Sequence, residues 1–311
     1  MTLTAGGLLL GAWLGHAQQP AQVEQAYIAE ITKFRQEREH DLRTSPFSKF
    51  ARVHVELLRD RPRLTIGSGP GADLRLSGEG IAPLHAAIEG TTNTPVLKAL
   101  GPTLIETLDN RRVRELLLKH DIGFRIGRYY LRYIVDSQLG RTIWVYDLEQ
   151  PSLREFQGLE YFPVDPRYRV PAEVIPYSKR EPIALIDSQG NEQRYYLYGE
   201  LRFELQGTPC RLELYTGSLD RKEIERSGFM LIFTDVTSGK ESYPVARYLY
   251  VEGKTAGRIT ADFNKAFNAS CNYAPVTPCP LPRQQNRLPV PIRAGEKWYH
   301  GKQARPLGQA R

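Results

Sequence analysis

Methionine and cysteine are scarce, at 2 and 3 of 311 residues, and neither the cysteines nor the 6 histidines fall at ligand spacing. There is no Cys-x-x-Cys and no His-x-x-x-His, so no metal is expected. P-loop and Rossmann glycine patterns are missing too, and no cofactor is expected. Gly67-Ser68-Gly69 is too short to be the nucleophile elbow of a serine hydrolase. No apolar run approaches the about 20 residues that span a bilayer, so no transmembrane helix is expected in the mature form. A concentrated basic face is also lacking. The formal charge is +7, but the densest run, Arg111, Arg112 and Arg114, is broken by Val113 and closed by Glu115. No specific nucleic-acid partner is expected from so dispersed a charge; a weak attraction to anionic polymers or lipid headgroups remains open.

What is present points to sheet. The chain has 17 Tyr, 11 Phe, 22 Pro and 26 Gly. Aromatics suit pleated, half-buried surfaces, while Pro and Gly punctuate short strands. At 41% hydrophobic and 25% charged it can bury a core, and its length suits two domains. At the start, the apolar run Leu8–Leu14 precedes Gly15-His16-Ala17, with small residues where a signal peptidase inspects. A signal peptide over residues 1–17 is expected, cleaved after Ala17, and hence a secreted or periplasmic location. No basic residue precedes the run, and no Cys at the junction suggests a lipid anchor. A helical arm over residues 18–46 follows: Val23, Tyr27, Ile31 and Phe34 recur at helical spacing and predict a helix over Ala21–Leu42.

Between residues 47 and 138 the texture is short strands and turns. Leu64-Thr65-Ile66-Gly67-Ser68, Asp73-Leu74-Arg75-Leu76 and Ile81-Ala82-Pro83-Leu84-His85 together resemble the forkhead-associated domain, a β-sandwich that binds phosphothreonine peptides. The departures fall on the phosphate-facing positions. The Arg after the family's Gly is Ser68, and the Ser and Arg of its Ser-Arg-x-His motif are Ala82 and Pro83. Phosphate recognition needs charge-assisted donors. The resemblance therefore implies the sandwich, with Gly67, Asp73 and His85 as scaffold, and no phosphothreonine ligand.

Residues 139–300 read as a second, larger β domain, with residues 301–311 as a flexible tail. Strand-like runs include Thr142–Asp147, Gly199–Leu205, Cys210–Tyr215 and Phe229–Phe233, and Thr237-Ser238-Gly239-Lys240 marks a hairpin loop. The series Tyr161-Phe162-Pro163-Val164-Asp165, Phe233-Thr234-Asp235-Val236-Thr237-Ser238-Gly239, Arg247-Tyr248-Leu249, Asp262-Phe263-Asn264-Lys265-Ala266-Phe267-Asn268, Asn286-Arg287-Leu288-Pro289 and Ala294-Gly295-Glu296-Lys297 resembles domain-of-unknown-function family 1684. The resemblance implies a β-rich fold and a clustered polar motif, with no activity to carry over.

Two readings of that motif stand side by side. In one, Arg247, Asp262, Asn264, Asn268, Asn286, Glu296 and Lys297 surround a ligand cleft, the Arg for an anion and the amides for hydroxyls. In the other, each satisfies the backbone of long irregular segments. The proline-rich segment 274–291 cannot be a central strand and reads as a strap across the sheet, with Asn286 pinning its turn. In an exported protein Cys271 and Cys279 could bridge and staple the strap, leaving Cys210 buried. The leading expectation is a mainly β, non-catalytic binding or structural protein whose partner is an unidentified small molecule or envelope component. The alternative is a hydrolase using a carboxylate or Cys271 in the cleft.

Overall fold

A computed structural model describes residues 20–308 of the chain; the expected signal peptide lies outside them. The first element is helix α1, Pro20–Thr44. Tyr27, Ile31 and Leu42 fall on one side of it and are buried, whereas Val23, expected on that side, is about half exposed. No helix among the described residues is long and apolar enough to cross a membrane.

After a 3-10 turn, Lys49–Ala51, the chain builds a β-sandwich. One sheet has six strands, in the order Arg52–Leu57, Gly140–Asp147, Tyr129–Asp136, Ile122–Ile126, Ile105–Thr107 and Arg112–Val113. The other has five, in the order Leu74–Arg75, Arg63–Gly67, Ala86–Glu89, Val96–Ala99 and Glu115–Leu117. Alternation along Tyr129–Asp136 buries Tyr129, Leu131 and Tyr133 against Leu64, Ile66, Ile88 and Leu97 of the facing sheet, as one-sided sheets require.

The boundary differs from the sequence reading. Strand Gly140–Asp147 was expected in the second domain, but it pairs along its whole length with Tyr129–Asp136 and also with Arg52–Leu57. A tight turn at Asp136–Gly140, where the Asp136 carboxylate accepts from the amides of Gln138 and Leu139, sends the chain straight back into the same sheet. The sandwich therefore runs to about residue 150.

The second unit is an eight-stranded antiparallel sheet. Its path is Gly257–Asp262, Arg169–Pro176, Glu192–Leu205, Thr208–Thr216, Phe229–Phe233, Arg247–Val251 and Phe267–Asn268, with Pro182–Ile186 flanking Glu192–Leu205. Phe203, Leu212, Leu231, Phe233 and Phe263 lie in its core. The proline-rich segment crosses it without joining as a strand, touching it through single bridges at Thr234–Arg287 and Asp187–Pro280. At Gly295 the backbone is left-handed (φ 76°), and a Cβ there would meet the Ala266 carbonyl oxygen at 2.3 Å, so only glycine lets the strap turn so close to the sheet.

Helix α1 packs on this second unit rather than standing as a separate arm, and the sandwich is spliced between them. Helix α2, Pro151–Arg154, brings the chain back beside the point where it left. There Ser152 Oγ donates to the Phe50 carbonyl at 2.6 Å, and the Phe50 and Phe156 rings lie 4.5 Å apart. The expected tail is tied down as far as it is described. Ala304 N donates to Tyr273 O, Arg305 N to Gln150 Oε1 and Leu307 N to Val53 O.

Candidate functional site

The motif residues fall into four places. Arg247, on strand Arg247–Val251, is fully buried, and so is its partner Asp235: both side chains are 0% exposed. The guanidinium donates to Asp235 Oδ2 at 2.6 Å and to the strap carbonyls of Ala294 and Ile292 at 2.7 and 2.8 Å. Asp235 Oδ1 accepts in turn from Thr237 N, Thr237 Oγ1 and Ile292 N. A buried ion pair holds its charges only when further hydrogen bonds satisfy it; the strap supplies three, and Arg247 Nε stays buried without a partner.

Asn286 stands apart. Its Oδ1 accepts from Glu213 N at 2.7 Å and its Nδ2 donates to Ile232 O at 2.9 Å, so it clips the strap across two strands. Asp262 and Asn264 form the third group. Asp262 Oδ1 accepts from the Tyr27 hydroxyl at 2.8 Å and from Asn264 N at 3.1 Å, while the Asn264 amide bonds both the N–H and the carbonyl of Asp165 and the Tyr27 oxygen. Burial and the Asp262 carboxylate push the Tyr27 phenol well above its ordinary range, so it remains a donor.

The fourth group centres on Glu296, which is buried. It accepts from Arg38 Nε of α1, from the Tyr273 hydroxyl and, at 2.8 Å, from Asn268 N. Asn268 Nδ2 donates to Lys297 O, leaving its Oδ1 buried without a partner. The Lys297 ammonium lies 3.9 Å from Glu160 at the surface. The seven residues thus do not gather around one open cleft among the described residues. Asn268, Glu296 and Lys297 meet, as do Asp262 and Asn264, but Arg247 and Asn286 are spent elsewhere.

All three cysteines are free and buried, and the candidate pair Cys271 and Cys279 is not bridged in this structure. The two are nonetheless neighbours, with Cys271 N donating to Cys279 Sγ at 3.1 Å. A hydrogen bond from the Cys279 thiol, opposed by burial and helped by the Tyr243 hydroxyl, brings the Cys271 thiol down to about 7; burial and the Cys271 charge raise Cys279.

Helix α1 contributes what the motif could not reveal. Tyr27 and Arg38 fill the two polar groups that face it, and Arg35 stacks on the Tyr161 ring at 4.6 Å. Lys49, in the turn after the helix, points its ammonium over the rings of Phe267 and Tyr273. Burial, and then the charge of Arg38, lower it to about 7. The basic residues of α1 at helical spacing were the available signal, and on their own they read as a solvated face.

In the sandwich, the turn at Gly67-Ser68 is closed against the loop Ile81–Pro83. Ser68 Oγ donates to Ile81 O at 2.7 Å, and Ser68 N to Ala82 O. The loop comes so close that a Cβ on Gly67 would meet Pro83 O at 2.2 Å. His85 accepts from Ala82 N and its other nitrogen lies 3.0 Å from Leu104 O, while Asp73 accepts from Thr65 N and Oγ1. The scaffold contacts are present, and neither arginine of the family pattern is.

The family model described as "Protein of unknown function (DUF1684)" matches residues 154–297. Among solved structures, an uncharacterised protein of Haloarcula marismortui is similar at 33% identity, over 47% of this chain and 80% of that one, with a TM-score of 0.40. The FHA domain of FhaA, solved in complex with the intracellular domain of another protein, matches at 21% identity over 27% of this chain and 78% of its own (TM-score 0.20). An FHA domain from Chlamydia trachomatis matches at 20% identity over 31% and 98% (TM-score 0.20). No curated protein matches.

Proposed function

The chain belongs to the DUF1684 family of unknown function through residues 154–297, and from that premise we propose that it is an exported, non-catalytic binding or structural protein whose polar motif locks its own fold. The observation that carries this is the fate of Arg247. The one motif residue suited to hold an anion is wholly buried, and three of its hydrogen bonds go to Asp235 and the strap carbonyls. Asn264 and Asn286 are likewise bonded mainly to backbone. A catalytic site would instead set titratable side chains at the edge of an open pocket. Export rests on the apolar run Leu8–Leu14 and the small residues Gly15 and Ala17; a mature N-terminus at Gln18, read by sequencing the secreted chain, tests it.

The rival is a thiol hydrolase, favoured by the lowered Cys271 thiol. That thiol is buried, and its partners Cys279, Tyr243 and Ser188 include no imidazole base. The purified mature chain is therefore expected to turn over no member of a panel of activated esters, glycosides and peptides. Turnover that disappears in a folded Cys271→Ser variant would replace this reading with the hydrolase.

A further inference from the structure

Between the second half of α1 and the turn Lys49–Ala51 lies a cavity of about 390 Å³. Phe34, Leu42 and Phe47 give it apolar wall, and Arg38 and Lys49 line it as well, their charged ends gathered over the Phe267 ring just behind it. Arg38 spends Nε on Glu296 but keeps Nη2 buried without a partner. The Lys49 ammonium lies 5.5 Å and 6.0 Å from the centres of the Phe267 and Tyr273 rings, and no carboxylate or carbonyl accepts from it among the described residues. Glu296, the buried carboxylate beside them, is already shared by Arg38, Tyr273 and Asn268. The ring faces attract a cation weakly, so below about pH 7, where Lys49 is charged, these part-buried groups carry more positive charge than they pair. Buried charge left in that state is costly unless a counter-ion arrives or a proton leaves.

We propose that this cavity is a binding site for a small organic monocarboxylate, its carboxylate held by Lys49 and Arg38 and its apolar remainder laid on Phe34, Leu42 and Phe47. The proposal rests on the non-catalytic binding reading and names the ligand class for it. Glu37 and Asp41 also line the cavity and are exposed, so a second negative charge on the ligand is disfavoured. The other charged or titratable groups acting on Lys49 are Glu296, Arg52 and the Cys279 thiol, and the thiol is raised and stays neutral. Because Lys49 is lowered to about 7 by burial and by Arg38, an arriving carboxylate brings a proton with it above that pH. Affinity then weakens by up to about tenfold per pH unit above neutrality.

The test uses the mature full chain, with calorimetric titration of sodium butyrate at pH 6, 7.5 and 9 at constant ionic strength, and with succinate and phosphate as comparators. Saturable butyrate binding is expected at pH 6, falling at least tenfold by pH 9, with both comparators weaker. Lys49→Met should abolish it. Lys49→Arg, which keeps its charge throughout, should bind with an affinity that no longer depends on pH. Absence of binding, equal binding by Lys49→Met, an unchanged pH profile in Lys49→Arg, or phosphate binding as tightly as butyrate would each overturn the proposal. None of those results touches the non-catalytic reading, which is removed instead by turnover of a member of the substrate panel.

Discussion

Replacing Arg247 by Met separates a structural lock from a ligand-binding arginine. The substitution removes the bond to Asp235 at 2.6 Å and those to the carbonyls of Ala294 and Ile292. Methionine fills part of the space beside Phe233, whose ring lies 5.3 Å from the guanidinium, so the loss is mostly electrostatic. Removing one partner of a buried pair costs about 3–5 kcal/mol, because the other charge is left uncompensated. Asp235 retains its bonds from Thr237 and Ile292, which places the expected loss toward the lower end. In urea, with a slope of about 2–3 kcal/mol/M, that lowers the midpoint by about 1–2 M. The chain has three tryptophans, Trp13, Trp144 and Trp298. A chain starting at Gln18 and carrying Trp144→Phe therefore reports on the second unit through Trp298 alone. Adding Asp235→Asn to Arg247→Met should recover part of the loss, since no bare carboxylate remains. A midpoint shift below ~0.3 M, or a gain in stability, would refute the lock, because an arginine kept for a ligand is not needed by the empty fold.

Tyr27→Phe removes a hydroxyl that donates to Asp262 and accepts from Asn264; a loss of about 1–3 kcal/mol is expected, read as faster hydrogen exchange along α1 than in the sandwich. Lys49 yields a pH dependence of definite sign. Its folded value, about 7, lies below the ordinary 10.5, so between those values the unfolded chain binds more protons and stability rises with pH. Lys49→Met should accordingly stabilise the protein most at pH 7 and below, with the gain shrinking as pH approaches 10.5. A difference that is constant across that range would contradict the assignment. Phosphothreonine peptides should not bind the sandwich, where Ser68 and Pro83 stand at the arginine positions; millimolar or tighter binding centred on Ser68 and Ala82, by calorimetry or chemical-shift mapping, would sink that expectation.

Local pattern was enough for the elements but not for their partners. Alternation marked Gly199–Leu205 and Cys210–Tyr215, which are parts of the longer strands Glu192–Leu205 and Thr208–Thr216. The same alternation in Thr142–Asp147 could not say which sheet the strand would join, and register with Tyr129–Asp136 decided it. Proline spacing revealed the strap, and Asn286 does pin it. Arg247, by contrast, carries no local sign of whether it faces water or the strap, since its partners Asp235, Ile292 and Ala294 are 12 to 47 residues away. Lys49 was invisible for a similar reason. Its environment is made by Arg38 on the preceding helix and by Phe267 and Tyr273 more than 200 residues on.

The position of Lys49 follows from how the two units are joined. The chain leaves the second unit at Phe50 and returns at Ser152, and these residues are hydrogen-bonded to one another. Phe50 is fully buried and packs on Phe156, Tyr273 and Tyr299 at 4.5, 5.2 and 5.1 Å. A module whose ends meet in this way can be inserted at little cost to its host, because loop-closure entropy grows only slowly with the length enclosed. The aromatic cluster therefore fixes the neck, and the residue just before it, Lys49, is fixed with it over the Tyr273 ring. Tyr273 in turn donates to Glu296, which holds Arg38. Neck, cavity and the Glu296 group of the polar motif are one connected set of contacts, so a ligand that pairs with Lys49 and Arg38 acts on the joint between the two units.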